Sequence, residues 1–150
     1  MADVLTEQAM RRLRRALVGR FGVEAGLEAA AAAALWACEH PERVDQARNP
    51  MGLLYRVGQS AARPAVRWES RRVRLELAPE PEVAAFDPEI VDLVRALGAL
   101  TPKQRVAILL VHAYGETYES AAEVLGVTET ALNNYIHRGL KRLRETLGDN

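Results

Sequence analysis

This 150-residue chain is short of the residues that most often carry chemistry. Its one cysteine, Cys38, excludes an intrachain disulfide and a cysteine zinc cluster, and fits a reducing compartment. Aromatic residues make up 5% of a chain that is 49% hydrophobic, so any core must rest on Leu, Val and Ala. Alternating β-branched runs bounded by turn signals are missing, which argues against a sheet. No apolar stretch is long enough to span a bilayer, and residues 1–20 lack the apolar core and cleavage site of a leader, so the expected location is the cytoplasm with no membrane partner. Formal net charge is zero, from 20 basic and 20 acidic residues, which excludes a protein that coats nucleic acid by bulk charge. His40, His112 and His137 fall on three separate segments, and no nucleophile–base, metal-ligand or phosphate-loop spacing occurs. No catalytic residue, metal or cofactor is therefore expected. Cys38 near His40 reads as a buried structural thiol beside a core Trp36 rather than a thiolate pair.

What is present favours helices, because Ala and Leu are the strongest helix formers in the composition. Charge is unevenly placed along the chain. Residues 1–76 hold 13 Lys/Arg against 9 Asp/Glu, residues 77–100 hold 1 against 5, and residues 101–150 hold 6 of each. The expected architecture is all-α, with two small helical bundles joined by a Pro-rich acidic linker. The boundaries are 1–76 for the first bundle, 77–88 for the linker and 89–150 for the second, which ends in a helix-turn-helix.

In the first bundle, residues 4–20 read as a basic amphipathic helix with Leu13, Ala16 and Leu17 inward and Arg11, Arg12, Arg14 and Arg15 mostly outward. Ala25–Cys38 is an alanine run ending in Trp36, with His40-Pro41 closing it because the residue before proline avoids the α region. Asn49-Pro50 opens another helix as N-cap and first position, placing Leu53, Leu54, Val57 and Ala61 inward. Pro64 then kinks or stops it. Beyond lies a stretch where Arg67, Arg71, Arg72 and Arg74 surround Trp68. Basic groups around an exposed aromatic can hold single-stranded DNA by charge and stacking, although docking of Trp68 on the bundle is an equal alternative.

In the second bundle, Ile90–Leu100 presents Val91, Leu93, Val94 and Leu97 as its apolar face. Thr101-Pro102-Lys103-Gln104 reads as a capping box that starts a mostly apolar helix closed by Gly115. Thr117 then caps a short helix, Gly126 makes the turn, Val127 plugs it and Thr128 caps a longer helix. Leu132, Ile136, Leu140, Leu143 and Leu147 form one apolar stripe on that last helix. Its other face carries Thr130, Asn133, Asn134, His137, Arg138 and Lys141. Short hydrogen-bonding groups first and cations later suit a helix entering the major groove N-terminus first, with its basic end beside phosphates. Thr128, Thr130, Asn133, Asn134, Arg138 and Lys141 are the candidate DNA contacts there.

Residues 100–147 resemble region four of bacterial sigma factors, especially the small extracytoplasmic-function type. The likeness rests on Thr101-Pro102-Lys103-Gln104-Arg105, Gly115, Tyr118, the run Ala122-Glu123-Val124-Leu125-Gly126-Val127 and His137-Arg138. Residues 1–76 are similar to sigma region two through Trp36, Asn49-Pro50, Leu54-Tyr55-Arg56-Val57 and the Arg-rich end. The resemblance implies promoter DNA and core RNA polymerase as partners, with an anti-sigma factor or a homodimer as further options. It also implies that Glu28 and Trp36 face the polymerase. Ala29, Ala30, Ala31 and Ala34 stand where that family usually carries acidic and amide groups, and Asn133 and Tyr135 stand where it is commonly basic. Two functions follow as expectations: a sigma-like promoter-binding initiation factor or regulator, and a sigma-derived interaction module that no longer initiates. An enzyme fits least.

Overall fold

The computed structural model describes residues 5–62 and 88–148. Pro64, the candidate contacts Arg67, Trp68 and Arg71, and residues 77–87 of the expected linker lie outside the described residues. Among the described residues there are eight α-helices and no strand. We number them α1 (Glu7–Phe21), α2 (Val23–Glu39), α3 (Pro41–Gln46), α4 (Pro50–Ala62), α5 (Pro88–Ala99), α6 (Pro102–Ile108), α7 (Tyr118–Leu125) and α8 (Glu129–Leu147).

The first four helices pack through small residues. Thr6 caps α1 by accepting from the Ala9 N–H, and Leu13, Ala16 and Leu17 of α1 are fully buried. Helix α2 turns Gly26, Ala29, Ala30, Ala33 and Ala37 inward. A Cβ built on Gly26 would stand 2.4 Å from Val18 Cα, so α1 and α2 touch backbone to backbone. Gly58 of α4 has Leu17 and the Ala29 carbonyl against it in the same way. Because small residues make the contact, the large ones of α2 face out: Leu27 is 45% exposed and Leu35 61%. Cys38 is exposed, not the buried thiol its sequence neighbours indicate. Trp36 is half-buried rather than central, stacked on the His40 ring at 4.6 Å with the Arg43 guanidinium 5.6 Å from its centroid. His40 Nδ1 donates to the Trp36 carbonyl at 2.9 Å and so caps the end of α2. Helix α4 buries Met51, Leu54, Tyr55 and Gly58, whereas Ala61 faces solvent.

The remaining helices follow their caps closely. In α5, Val94, Ala96 and Leu97 are buried and Leu93 is 43% exposed, so the apolar face lies about one residue round from the expected one. Thr101 and Gln104 make both bonds of the capping box. Helix α6 does not run straight to Gly115. It loosens into a π-helical turn over Leu109–Ala113, where the Tyr114 N–H reaches the Leu109 carbonyl.

One hydrophobic cluster runs from Ala9 through Leu54, Val106 and Ala121 to Leu143, so both groups of helices share a core. Four side chains reach across the seam. Asn49 accepts from the Gly52 N–H at the start of α4 and donates through Nδ2 to the Glu123 carbonyl at the end of α7, at 2.7 Å. Arg12 and Arg15, expected to point outward, lean onto the other group. Arg12 donates to the Ser120 carbonyl and pairs with Glu123 at 3.3 Å, and Arg15 pairs with Glu116 at 3.6 Å. Arg105 is 3% exposed and bonds the Gly19 and Arg20 carbonyls at 2.7 Å each.

Candidate nucleic-acid interface

A short helix and a longer one cross at a glycine turn because each end is locally specified. Thr117 accepts from the Ser120 N–H and starts α7. Gly126 ends it at φ 68°, in the left-handed region that L side chains avoid. The Val127 N–H then reaches back to the Ala122 carbonyl at 3.0 Å, closing a Schellman-type end with Val127 half-buried beneath it. Thr128 accepts from the Ala131 N–H and starts α8.

Helix α8 buries Leu132, Ile136, Gly139 and Leu143 against α5, α6 and α7. Gly139 allows this approach, since a Cβ there would stand 2.5 Å from Ile108 Cδ1. The seam fixes the rotation of the helix and so decides what faces away. Thr128, Thr130, Asn133, Asn134, His137, Arg138 and Lys141 are all exposed. The six candidate contacts at this site thus lie together on one accessible face. Their order puts hydroxyls and amides near the helix N-terminus, whose free N–H groups favour anions, and cations beyond.

The sequence reading overlooked Arg144. It is exposed and lies eleven residues from Asn133 and three from Lys141, which is three turns and one turn along the same face. That spacing was legible. Among the described residues none of Arg138, Lys141 and Arg144 is held in an ion pair. Glu129 and Glu145 are also exposed near this surface, which keeps its net positive charge modest. Tyr135 is turned the other way, half-buried, with Lys103 Nζ 5.8 Å from its ring centroid.

The family model for sigma-70, region 4, matches residues 90–143, which take in α7, the glycine turn and most of α8 together with the helices beneath them. The C-terminal helices are similar to sigma-70, region 4, over that segment. The chain is also similar to the ECF RNA polymerase sigma factor SigE of Mycolicibacterium smegmatis, 32% identical over 108 residues. That match covers 64% of this chain and 42% of that protein, so the chain spans less than half the length of its curated relative. The fold of the first helices is similar too. A chain in the co-crystal structure of the sigma factor RpoE with the anti-sigma factor NepR from Bartonella quintana superposes with a TM-score of 0.58 at 19% identity. The superposition covers 98% of this chain and 95% of that one, so it reaches well beyond region 4.

Glu28 and Trp36, which the resemblance points toward a polymerase, lie on α2, the first exposed and the second half-buried. They share the helix but do not join the α8 face. Among the described residues no group of His, Cys, Asp and Glu is placed to hold a metal ion, and no helix is long and apolar enough to cross a membrane.

Proposed function

We propose that this chain is a sigma-like promoter-recognition protein that works by binding DNA and polymerase rather than by catalysis. The observation that carries the reading is the joint exposure of Thr128, Thr130, Asn133, Asn134, Arg138 and Lys141 on α8, opposite its buried seam. Asn133 and Asn134 read base edges, with adenine the favoured partner of a bidentate Asn. Thr128 and Thr130 meet sugar and phosphate, while Arg138 and Lys141 neutralise backbone charge. Residues 1–76 and 89–150 act as two modules joined by 77–88, with Arg67, Trp68 and Arg71 holding a melted strand and Glu28 and Trp36 facing core polymerase. An anti-sigma protein is a further partner, by analogy with the complex that RpoE forms.

Binding of the full chain to a promoter library, followed by reconstituted transcription with core polymerase, tests this. Asn133→Ala should change preference at one base pair by about 1–3 kcal/mol. Lys141→Ala should weaken all sequences alike and lower the salt slope by about one. If neither substitution alters binding to any selected fragment, α8 is not the reading element.

A second reading has its own observation. Leu27, Ala31 and Leu35 make an exposed apolar stripe on α2, where polar groups would suit a polymerase contact. That stripe favours an interaction module, as a homodimer or bound to another protein. Light scattering and a pull-down on core polymerase separate the two, because a stable dimer that ignores polymerase fits only the second.

A further inference from the structure

A cavity of about 190 Å³ opens on the seam between the two groups of helices, beside the helix-turn-helix turn and Tyr135 of α8. Arg20 of α1 and Tyr55, Arg56 and Gln59 of α4 form one wall, and Lys103 and Tyr135 form the other. Val127, from the helix-turn-helix turn, contributes an apolar edge. Three of these residues are cations, and no described residue lining the cavity is acidic.

The polar groups here lack ordinary partners. Tyr55 is 4% exposed, and no described residue accepts from its O–H. The Arg20 guanidinium acts on the Tyr55 oxygen by its charge and by a side-chain hydrogen bond, and Arg20 Nε is itself buried without a hydrogen-bond partner. Burial raises the Tyr55 pKa above its usual 10, so the hydroxyl is a neutral donor at physiological pH. Behind the wall, burial first and then the charge of Arg20 pull Arg105 down to about 10, so like charges crowd this corner. Buried polar groups almost always find partners, and an O–H without an acceptor beside cations that no described carboxylate neutralises is costly.

We propose that this cavity is a binding site for a small phosphate-bearing molecule, held by Arg20, Arg56 and Lys103 with the Tyr55 hydroxyl as donor. A phosphate group suits the donor set, because it accepts from several directions while guanidinium groups donate in pairs. The volume limits the ligand to a phosphate with a short body, since drug-sized ligands occupy about 300 Å³ or more. The ligand touches α1 and α4 on one side and α6 and α8 on the other, so it binds the packed arrangement and stabilises it.

Isothermal titration of the full chain with inorganic phosphate, against potassium chloride of matched ionic strength, is the test, together with thermal unfolding. Saturable binding specific to phosphate is expected. Lys103→Gln should weaken it about tenfold, the loss of one charge-assisted hydrogen bond. Tyr55→Phe should weaken it about fivefold while leaving the unliganded protein about as stable, because it removes a buried O–H that has no acceptor. That pair of effects is not what a purely structural tyrosine gives. Lys141→Gln, on the DNA face, should leave phosphate binding unchanged, and a short DNA duplex should not displace the phosphate. The proposal is overturned by phosphate acting no differently from chloride, by undiminished binding in both Lys103→Gln and Tyr55→Phe, or by loss of binding in Lys141→Gln. Displacement by duplex also overturns it, since the site would then take backbone phosphate instead.

Discussion

A guanidinium at 3% exposure is strongly unfavourable unless its N–H groups are met, and Arg105 meets that condition with backbone carbonyls. Its Nε and one terminal nitrogen bond Gly19 and Arg20 at the C-terminal end of α1, and its other terminal nitrogen reaches Leu100 at 3.2 Å and Leu97 at 3.4 Å, at the C-terminal end of α5. These are carbonyls that a helix end leaves without intrahelical partners, and they carry the negative end of the helix dipole. Arg105→Ala is therefore expected to lower stability by about 3 kcal/mol, two charge-assisted bonds at the low end of their range. Arg105→Lys should recover little of it, because one ammonium cannot span the same fork. Urea unfolding of the two variants checks both statements. Nothing local in the sequence marked this residue, since a lone arginine in an amphipathic helix is ordinarily exposed and its α1 partners lie 86 and 85 residues away.

Tyr55 gives the residue scale its pH dependence. Its pKa is raised by burial, so the folded state holds the proton more tightly than the unfolded chain does. Above pH 10 the unfolded state binds fewer protons, and linkage then makes stability fall as pH rises through the folded pKa. The contribution is fully present below the ordinary tyrosine value. Unfolding free energy followed from pH 9 upward should show this decline, and Tyr55→Phe should make it shallower. An unchanged slope in the variant would place the alkaline loss elsewhere.

At the scale of elements, what could be read in advance was what is decided locally. Thr101 with Gln104, Thr117, Gly126 and Thr128 each act within a few residues of themselves, and each stands in the structure as the sequence indicates. The seam of α8 was legible for the same reason, as its large residues recur at helical spacing with polar groups between them. Helix α2 was not, because a nearly uniform run of alanine has no phase from which to tell inside from outside. Its orientation is set by Gly26 meeting Val18, a contact between helices, and this puts Leu35 and Cys38 in solvent. The π-turn at Leu109–Ala113 left no sequence signal either. The two glycines should accordingly respond differently to substitution. Gly126→Ala meets no atom within 4 Å and costs only its backbone conformation, about 1–2 kcal/mol, with Gly126→Asn costing less. Gly26→Ala must push α1 and α2 apart, since backbone cannot yield as a side-chain tip can, and should cost about 3 kcal/mol or more. Thermal denaturation of the three variants ranks them.

At the scale of the whole molecule, the seam combines salt-sensitive and salt-insensitive contacts. The pairs of Arg12 and Arg15 with Glu116 and Glu123 are partly exposed, worth at most about 1 kcal/mol each, and screened by salt. Asn49 and Arg105 bond carbonyls and the shared core is apolar, so the packed arrangement should persist at high ionic strength. The consequence for DNA follows from where the proposed reading face lies. Asn133, Asn134, Arg138 and Lys141 are exposed while the two groups of helices are packed together, so a duplex meets the same α8 surface whether or not they separate. A ligand shifts an equilibrium only by its differential affinity for the two states, and this surface offers almost none. Asn49→Ala combined with Glu116→Gln, which loosens the seam without touching α8, should therefore leave the affinity for a short duplex within about twofold. Fluorescence anisotropy with a labelled duplex measures it, and small-angle scattering of the same variant reports whether the seam has opened. A tenfold gain in affinity accompanying an expanded molecule would mean instead that the N-terminal helices hinder DNA in the packed state, and that separating them is part of recognition.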